Sequence, residues 1–333
     1  MNNVSAFSRD ERAELFRETS VKVGIPEAII EKDFWVCWVL NYLFNKSELS
    51  KDIIFKGGTS LSKVFGIIER FSEDIDLVLN WKLLGVTGSE PWIVRSKTKQ
   101  NKYNKTINIK AQEYISTIFI DNLKSDIINT KIKNLDVKID EEDPFVVNVH
   151  YPKAFQTPYI RPVVRLEIGP LASWVPHQTF EITPYCAVYF PEIFSNPKCK
   201  VISINAEMTF WEKVTILHQE AHRPQDKKIP WRFSRHYYDL YKMNSSPIKN
   251  SSFAVLDLLT DVVKFKMQFY SCNWANYDLA VPGTIKLIPP VHNLNRLKDD
   301  YSYMKEMIFG EKPDFSEILS ALEKLENEIN RKL

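Results

Sequence analysis

Two acids set one residue apart, in Asp74-Ile75-Asp76-Leu77, are the side chains of this sequence best suited to chemistry. The apolar residues interleaved with them predict a strand over Asp74 to Leu79, and strand residues two apart share one face. Carboxylates held so close repel one another unless a cation sits between them. Hard divalent ions, Mg²⁺ above all, are bound by such carboxylates together with substrate phosphates. The pair therefore points to phosphoryl or nucleotidyl transfer, where ions held this way stabilise the attacking and leaving oxygens.

A second element lies just upstream. Lys56-Gly57-Gly58-Thr59-Ser60-Leu61 follows a short buried strand, Asp52 to Phe55, and opens a helix expected over Ser60 to Glu69. Glycines allow close backbone approach, and the N–H groups exposed where a helix starts favour phosphate. Lys56, Gly57, Gly58, Thr59 and Ser60 form the candidate nucleotide-binding set, the last two as hydroxyl donors. It is not a Walker loop, because no Gly-Lys-Ser/Thr follows at the required spacing.

Strand, Gly-Gly, helix and then Asp-x-Asp resembles the polymerase-β nucleotidyltransferase superfamily. The fuller strings, Lys56 through Leu61 and Arg70-Phe71-Ser72-Glu73-Asp74-Ile75-Asp76-Leu77, resemble the AbiEii/AbiGii and MenT toxin nucleotidyltransferases. Glu31-Lys32-Asp33-Phe34-Trp35-Val36 is similar to that family's N-terminal helix. Glu212-Lys213 is similar to its third motif, and Arg235 through Asp239-Leu240-Tyr241 to its fourth. The resemblance implies Mg²⁺ (or Mn²⁺) on Asp74 and Asp76, an NTP as substrate, and Lys213 directed at the triphosphate. Asp239 would position or deprotonate the acceptor hydroxyl. An RNA acceptor is implied too, with the 3′ end of tRNA as the candidate, together with blocked translation and a separate antitoxin. Two departures stand out. Fifteen residues separate Gly58 from Asp74, slightly more than in the general superfamily, and His236 follows Arg235 where the fourth motif often has an acid.

Several residues carry two readings each. Glu167, between apolar neighbours in Arg165-Leu166-Glu167-Ile168, suits a third metal-binding acid on a neighbouring strand, or an ion pair with Arg165 on the same face. Lys213 is either functional or a solvated helical charge. Asp239 is either functional or paired with Arg235 at i,i+4. His218 and His222 share a helix face, but the zincin pattern needs Glu directly after the first His and Gln219 stands there, so a polar face is expected. Trp92 to Lys110 contains no acid and carries Arg95, Lys97, Lys99, Lys102, Lys105 and Lys110, with Tyr103 among them. That stretch suits an RNA backbone with a stacked base, or a solvated loop. Lys227, Lys228, Trp231, Arg232 and Arg235 form a second basic-aromatic group.

The elements that must position these residues predict an α/β (α+β) core with a small mixed sheet, followed by a helical C-terminal domain. Two helices fill the first 47 residues, with Ser8 capping the first, and a long helix is expected from about Thr106 to Ile128. Strands follow around 135–139, 145–151, 163–168, 178–185 and 200–204, after which the chain turns helical. Expected there are helices over Glu207 to His222, from a Ser234 cap, over Phe253 to Tyr270, and a last one with Asp314 and Glu317 at capping-box spacing. The boundary is set near 204, giving domains 1–204 and 205–333 with the active site in the cleft between them. A net charge of only +2 excludes a global polycation, so any nucleic-acid contact must be local. Four scattered cysteines, no apolar leader and no membrane-length apolar run predict a cytoplasmic protein without a membrane partner. Two rival functions remain: transfer to a small-molecule or protein hydroxyl, and a non-catalytic regulatory protein on the same scaffold. Intact Asp74 and Asp76 argue against the latter.

Overall fold

A computed structural model describes residues 1–156, 160–170 and 176–332. The chain forms two compact units, Met1–Val64 with Ser72–Ile204, and Phe65–Phe71 with Asn205–Leu333. The seven residues Phe65–Phe71 thus belong with the C-terminal helices, although they lie in the sequence between the glycine turn and Asp74.

The first unit is built on seven strands: β1 (Ile53–Lys56), β2 (Asp74–Leu79), β3 (Asp136–Ile139), β4 (Val146–His150), β5 (Val163–Gly169), β6 (His177–Ile182) and β7 (Cys199–Ile204). Their order in the sheet is β3-β4-β5-β2-β1-β7-β6. The β1/β7 and β2/β5 pairs are parallel and the rest antiparallel, giving the mixed sheet expected of the α/β class. Alternation places Ile75, Leu77, Val164, Leu166 and Ile168 in the core. The helix Glu27–Asn45 packs on β7 and is buried at every residue from Ile29 to Leu40, so its charged residues must find partners inside the protein. Ser8 caps Arg9–Val23, as expected, and Glu11 completes a capping box with it.

Two expected helices differ in extent. The helix after the glycine turn spans Gly57–Lys63 and stops well short of Glu69; Gly66, at φ +61°, then turns the chain in a left-handed conformation. The long helix begins at Lys97 rather than near Thr106, capped by Ser96. It passes through a π-helical turn, Ile115–Phe119, and continues over Ile120–Asn129. The basic stretch is therefore helical rather than a loop from Lys97 onward.

The second unit is helical: Ala206–Ala221, Ser234–Asn244, Ile248–Ala254, Asp257–Phe269, Val291–Met304 and Phe315–Asn330 are its main helices. The helix expected over Phe253 to Tyr270 is two. Ser234 does not cap its helix; Asp300 does so from another, accepting from the N–H groups of Arg232 at 2.6 Å and Ser234 at 2.7 Å. The Asp314–Glu317 capping box does not form, because Glu317 accepts from the Tyr241 hydroxyl at 3.0 Å and Asp314 pairs with Lys305. The apolar stripe of that helix is buried through Phe315, Ile318, Leu322, Leu325 and Ile329. Among the described residues, no helix is long and apolar enough to cross a membrane.

Candidate active site

The paired acids occupy the start of β2, with Asp74 and Asp76 on the half-buried face and Ile75 and Leu77 buried behind them. Register fixes their neighbours. Lys56 of β1 stands beside Asp76, Glu167 of β5 stands on its other side, and Arg165 stands beside Asp74. One face of three adjacent strands thus carries Lys56, Asp76 and Glu167 in a row, with Asp74 and Arg165 one step along.

The glycine turn meets this face directly. Gly57 has φ +80°, and a Cβ placed on it would fall inside the Asp76 carboxylate. Only glycine can therefore bring the backbone this close to Asp76. Thr59 and Ser60 are buried, and their hydroxyls donate inside the protein: Thr59 Oγ1 to the Asp74 carbonyl, Ser60 Oγ to the Gly57 carbonyl at 2.8 Å. Expected as phosphate donors, these side chains instead tie the turn to the strand that bears the acids. What they leave to a ligand at this turn is the backbone.

Buried charges of the N-terminal helix brace both parts. Asp33 pairs with Lys63 at 2.7 Å, at the end of the helix that the turn begins, and accepts from the Tyr185 N–H at 2.7 Å. Burial works against the Lys63 charge, but Asp33 more than offsets it and holds the ammonium above the ordinary lysine value. Lys32 pairs at 3.0 Å with Glu73, the residue before Asp74, and donates to the Arg161 carbonyl at 3.0 Å. Glu31 accepts from the N–H groups of Ala154 and Phe155. Three consecutive charges on one helix thus fix three separate segments of this unit.

Arg165 draws several acids together without closing on the pair. Its guanidinium bonds Asp140 at 2.9 Å, while it lies 3.6 Å from Asp74 and 3.9 Å from Glu167, both beyond hydrogen-bond range. Among the described residues no three His, Cys, Asp or Glu side chains converge as a metal cage. Glu167 therefore stands beside Asp76 without completing a three-acid cluster. Two carboxylates near a close-approaching backbone fit Mg²⁺ well, since that ion takes one or two protein carboxylates and fills its remaining positions with phosphate and water.

The second unit holds the other expected residues in a buried cluster. Asp239 has no exposure; its Oδ1 accepts from Arg70 Nε at 2.7 Å, and its Oδ2 from Arg70 Nη2 at 2.8 Å and Lys213 Nζ at 2.8 Å. Its partners are thus Arg70 and Lys213, not the Arg235 suggested by spacing alone. Burial by itself would raise the Asp239 carboxyl, but Arg70 and Lys213 hold it far below the usual carboxylate range. A carboxylate so clamped is a poor proton acceptor and an effective anchor. Lys213 is buried rather than solvated, and it also meets His236 Nδ1 at 3.0 Å. Arg70 opens the family-like string Arg70 to Leu77, but spacing assigns it no partner; it is 169 residues from the acid it grips.

The remaining candidates divide. Lys97, Lys99, Lys102 and Lys105 are exposed on their helix, whose inner face carries Gln100, Ile107, Ala111 and Tyr114. Arg95 is folded back instead, donating to the carbonyls of Glu90, Pro91 and Ile93 and lying 4.0 Å over the Tyr103 ring, and Lys110 donates to the Leu84 carbonyl at 2.9 Å. Those two serve the fold. His218 is buried with both ring nitrogens engaged, by the Asn276 carbonyl and the Lys286 N–H, so the histidine pair is structural.

Residues 38–321 match the family described as nucleotidyl transferase AbiEii toxin of type IV toxin–antitoxin systems, and the chain belongs to that family. Membership makes it a toxin-type nucleotidyltransferase and implies a nucleotide substrate and a cognate antitoxin. Among solved structures, MenT4, a nucleotidyltransferase toxin from Mycobacterium tuberculosis H37Rv, is similar at 15% identity over 98% of both chains, with a TM-score of 0.44. JHP933 from Helicobacter pylori is similar at 14% identity over 92% of this chain and 98% of its own, with a TM-score of 0.37. No curated protein sequence matches.

Proposed function

We propose that this enzyme transfers a nucleotidyl group from an NTP to a hydroxyl of RNA, with the 3′ end of tRNA as the candidate acceptor, and thereby blocks translation. The observation that carries the reading is the close approach of Gly57 to Asp76, which sets bare backbone beside the carboxylate pair where no side chain fits. Mg²⁺ or Mn²⁺ held by Asp74 and Asp76 would offset the negative charge of the triphosphate. The backbone of Gly57 and Gly58 lies against its phosphates, with Lys56 beside Asp76 in the same strand row. Lys213 offers an ammonium to the triphosphate, and Asp239 anchors that ammonium rather than taking a proton from the acceptor. The acceptor oxygen bonds to the α-phosphorus as the bond to the leaving pyrophosphate breaks, and the hydroxyl proton passes to solvent water.

RNA is favoured over a small-molecule or protein hydroxyl by the exposed lysines at 97, 99, 102 and 105, which suit a phosphate backbone. Incubation with each labelled NTP, Mg²⁺ and total RNA tests the reading. Label in the tRNA fraction, lost on digestion of the 3′ end and blocking translation of an added message, is the expected result. Label only in protein or in a low-molecular-weight product would overturn the RNA acceptor while keeping the chemistry.

A further inference from the structure

A lysine ammonium has three N–H donors and no acceptor. Lys213, only 6% exposed, spends one on Asp239 Oδ2 at 2.8 Å and one on His236 Nδ1 at 3.0 Å. Among the described residues the third N–H meets no partner. A buried donor left open in this way is costly unless a ligand completes it. With two acceptors fixed, the direction of the third N–H is fixed as well.

Both acceptors are themselves held. Arg70 takes the two oxygens of Asp239 through Nε and Nη2, so the carboxylate cannot rotate about its own axis without breaking a bidentate pair. Arg70 is in turn pinned by its own strip of backbone: it bridges Ile308 in antiparallel fashion, the Phe71 N–H donates to the Met307 carbonyl at 2.8 Å, and the Phe309 N–H donates to the Glu69 carbonyl at 2.8 Å. The His236 ring stands edge-on to Phe233, with centroids 4.7 Å apart and planes at 68°. Because an ammonium can only donate, His236 Nδ1 must be the acceptor, which places the imidazole proton on Nε2 and makes the ring neutral. Burial first, then the charges of Lys213 and Arg235, hold the imidazole well below its ordinary value, in keeping with that tautomer.

We propose that His236 and Arg70 are positioning residues that hold Lys213 with a single N–H left for a phosphate oxygen of the NTP. The proposal rests on the nucleotide-binding role given to Lys213 above. A neutral acceptor at 236 orients the ammonium without cancelling its charge, whereas a second carboxylate would satisfy the lysine electrostatically and weaken its pull on phosphate.

The dissociation constant of a labelled NTP, measured at equilibrium with Mg²⁺, tests this in wild type, Lys213→Ala, His236→Leu, His236→Asn and the double variant Lys213→Ala/His236→Leu. His236→Leu is expected to weaken binding about tenfold, the worth of one charge-assisted hydrogen bond. His236→Asn should recover most of that, since its side-chain oxygen can accept where Nδ1 did. The double variant should bind no more weakly than Lys213→Ala, because His236 acts only through the lysine. Additive losses in the double variant, or wild-type affinity in His236→Leu beside a weakened Lys213→Ala, would overturn the positioning role alone. Wild-type affinity in Lys213→Ala would instead remove the nucleotide role of Lys213 and the proposal with it. If His236→Leu does not fold, the ¹⁵N spectrum of the wild-type imidazole decides. A neutral ring protonated on Nε2 is expected at neutral pH, and a proton on Nδ1 would exclude acceptance from Lys213.

Discussion

Asp76 and Asp239 are the same residue type put to opposite uses. Asp76 lies on a half-buried strand face beside a turn that admits only glycine, and its neighbour Asp74 stands 3.6 Å from Arg165, too far for a hydrogen bond. Asp239 has no exposure and is gripped by a bidentate arginine and a lysine. The first sets a carboxylate pair against a close-approaching backbone. The second binds a single carboxylate internally to two cations. A carboxylate's role in this molecule is thus set by what already surrounds it, so matched substitutions should separate the two sites.

The largest effect is expected at the strand. Asp74→Ala and Asp76→Ala should each abolish nucleotidyl transfer, since each removes a ligand from a charge site, while thermal unfolding stays close to wild type because neither side chain anchors the core. Mg²⁺-dependent transfer surviving in either folded variant would erase the difference between the two acids.

Asp239→Ala should act mainly on stability. It strands Arg70 and Lys213 in the interior, and removing one partner of a buried ion pair costs roughly 3–5 kcal/mol, read by denaturant unfolding. The pH dependence follows from the depressed carboxyl. Its stabilising contribution is fully present above the unfolded-state value of about 3.9 and is lost as pH falls toward the lower folded value. Wild type should therefore lose stability on acidification below about pH 4 more steeply than Asp239→Asn, which has nothing there to titrate. Equal acid slopes would show that the clamp contributes no linkage.

Much of the strand site was legible because its logic is local. The alternation in Asp74-Ile75-Asp76-Leu77, the glycine pair and the Ser8 cap each depend on neighbours a few residues away, and each formed as the spacing required. The helix cluster was half legible. Lys213 and Asp239 could be picked out by motif, but spacing offered Arg235 as the partner of Asp239, and the structure supplies Arg70 from far along the chain. No periodicity marks residue 70, which lies outside any helix or ladder strand and belongs to a seven-residue excursion into the second unit. That excursion accounts for the length between Gly58 and Asp74: the chain leaves the first unit after Val64 and rejoins it at Ser72. The helix start at Lys97 was missed for another reason. Its first two turns are polar apart from Tyr103, so they show no apolar stripe, and only the Ser96 cap announces them.

Gly57→Ala narrows the contrast to a single methyl group. Its φ of +80° strains any other residue, and the added carbon would displace the Asp76 carboxylate. Shifting that group by about an ångström should lower transfer about a hundredfold, with a modest loss of stability. Gly66 also has a positive φ, but a Cβ there meets nothing, so Gly66→Ala controls for backbone strain alone. Equal losses of activity in the two would remove the special standing of the Gly57–Asp76 contact.

The smallest effect is expected on the helix Lys97–Tyr114. Arg95 and Lys110 are engaged by backbone carbonyls, which leaves the exposed Lys99, Lys102 and Lys105 opposite the buried Gln100, Ile107 and Ala111. Changing these three to Gln should leave folding untouched, because exposed helical lysines contribute little stability. NTP affinity should hardly move either, since screening limits the reach of exposed charges to about 8–10 Å near physiological salt. RNA affinity should fall, and its dependence on salt should flatten by about 0.7 for each single-strand phosphate no longer neutralised. A plot of log affinity against log salt for wild type and the triple variant reads this directly. Parallel lines would mean that these lysines neutralise no phosphates, and would move the search to Trp231 and Tyr303. Those exposed rings lie 5.2 Å apart in the helical unit, the first of them close in sequence to Lys227, Lys228 and Arg232, where stacking rather than charge would carry the acceptor.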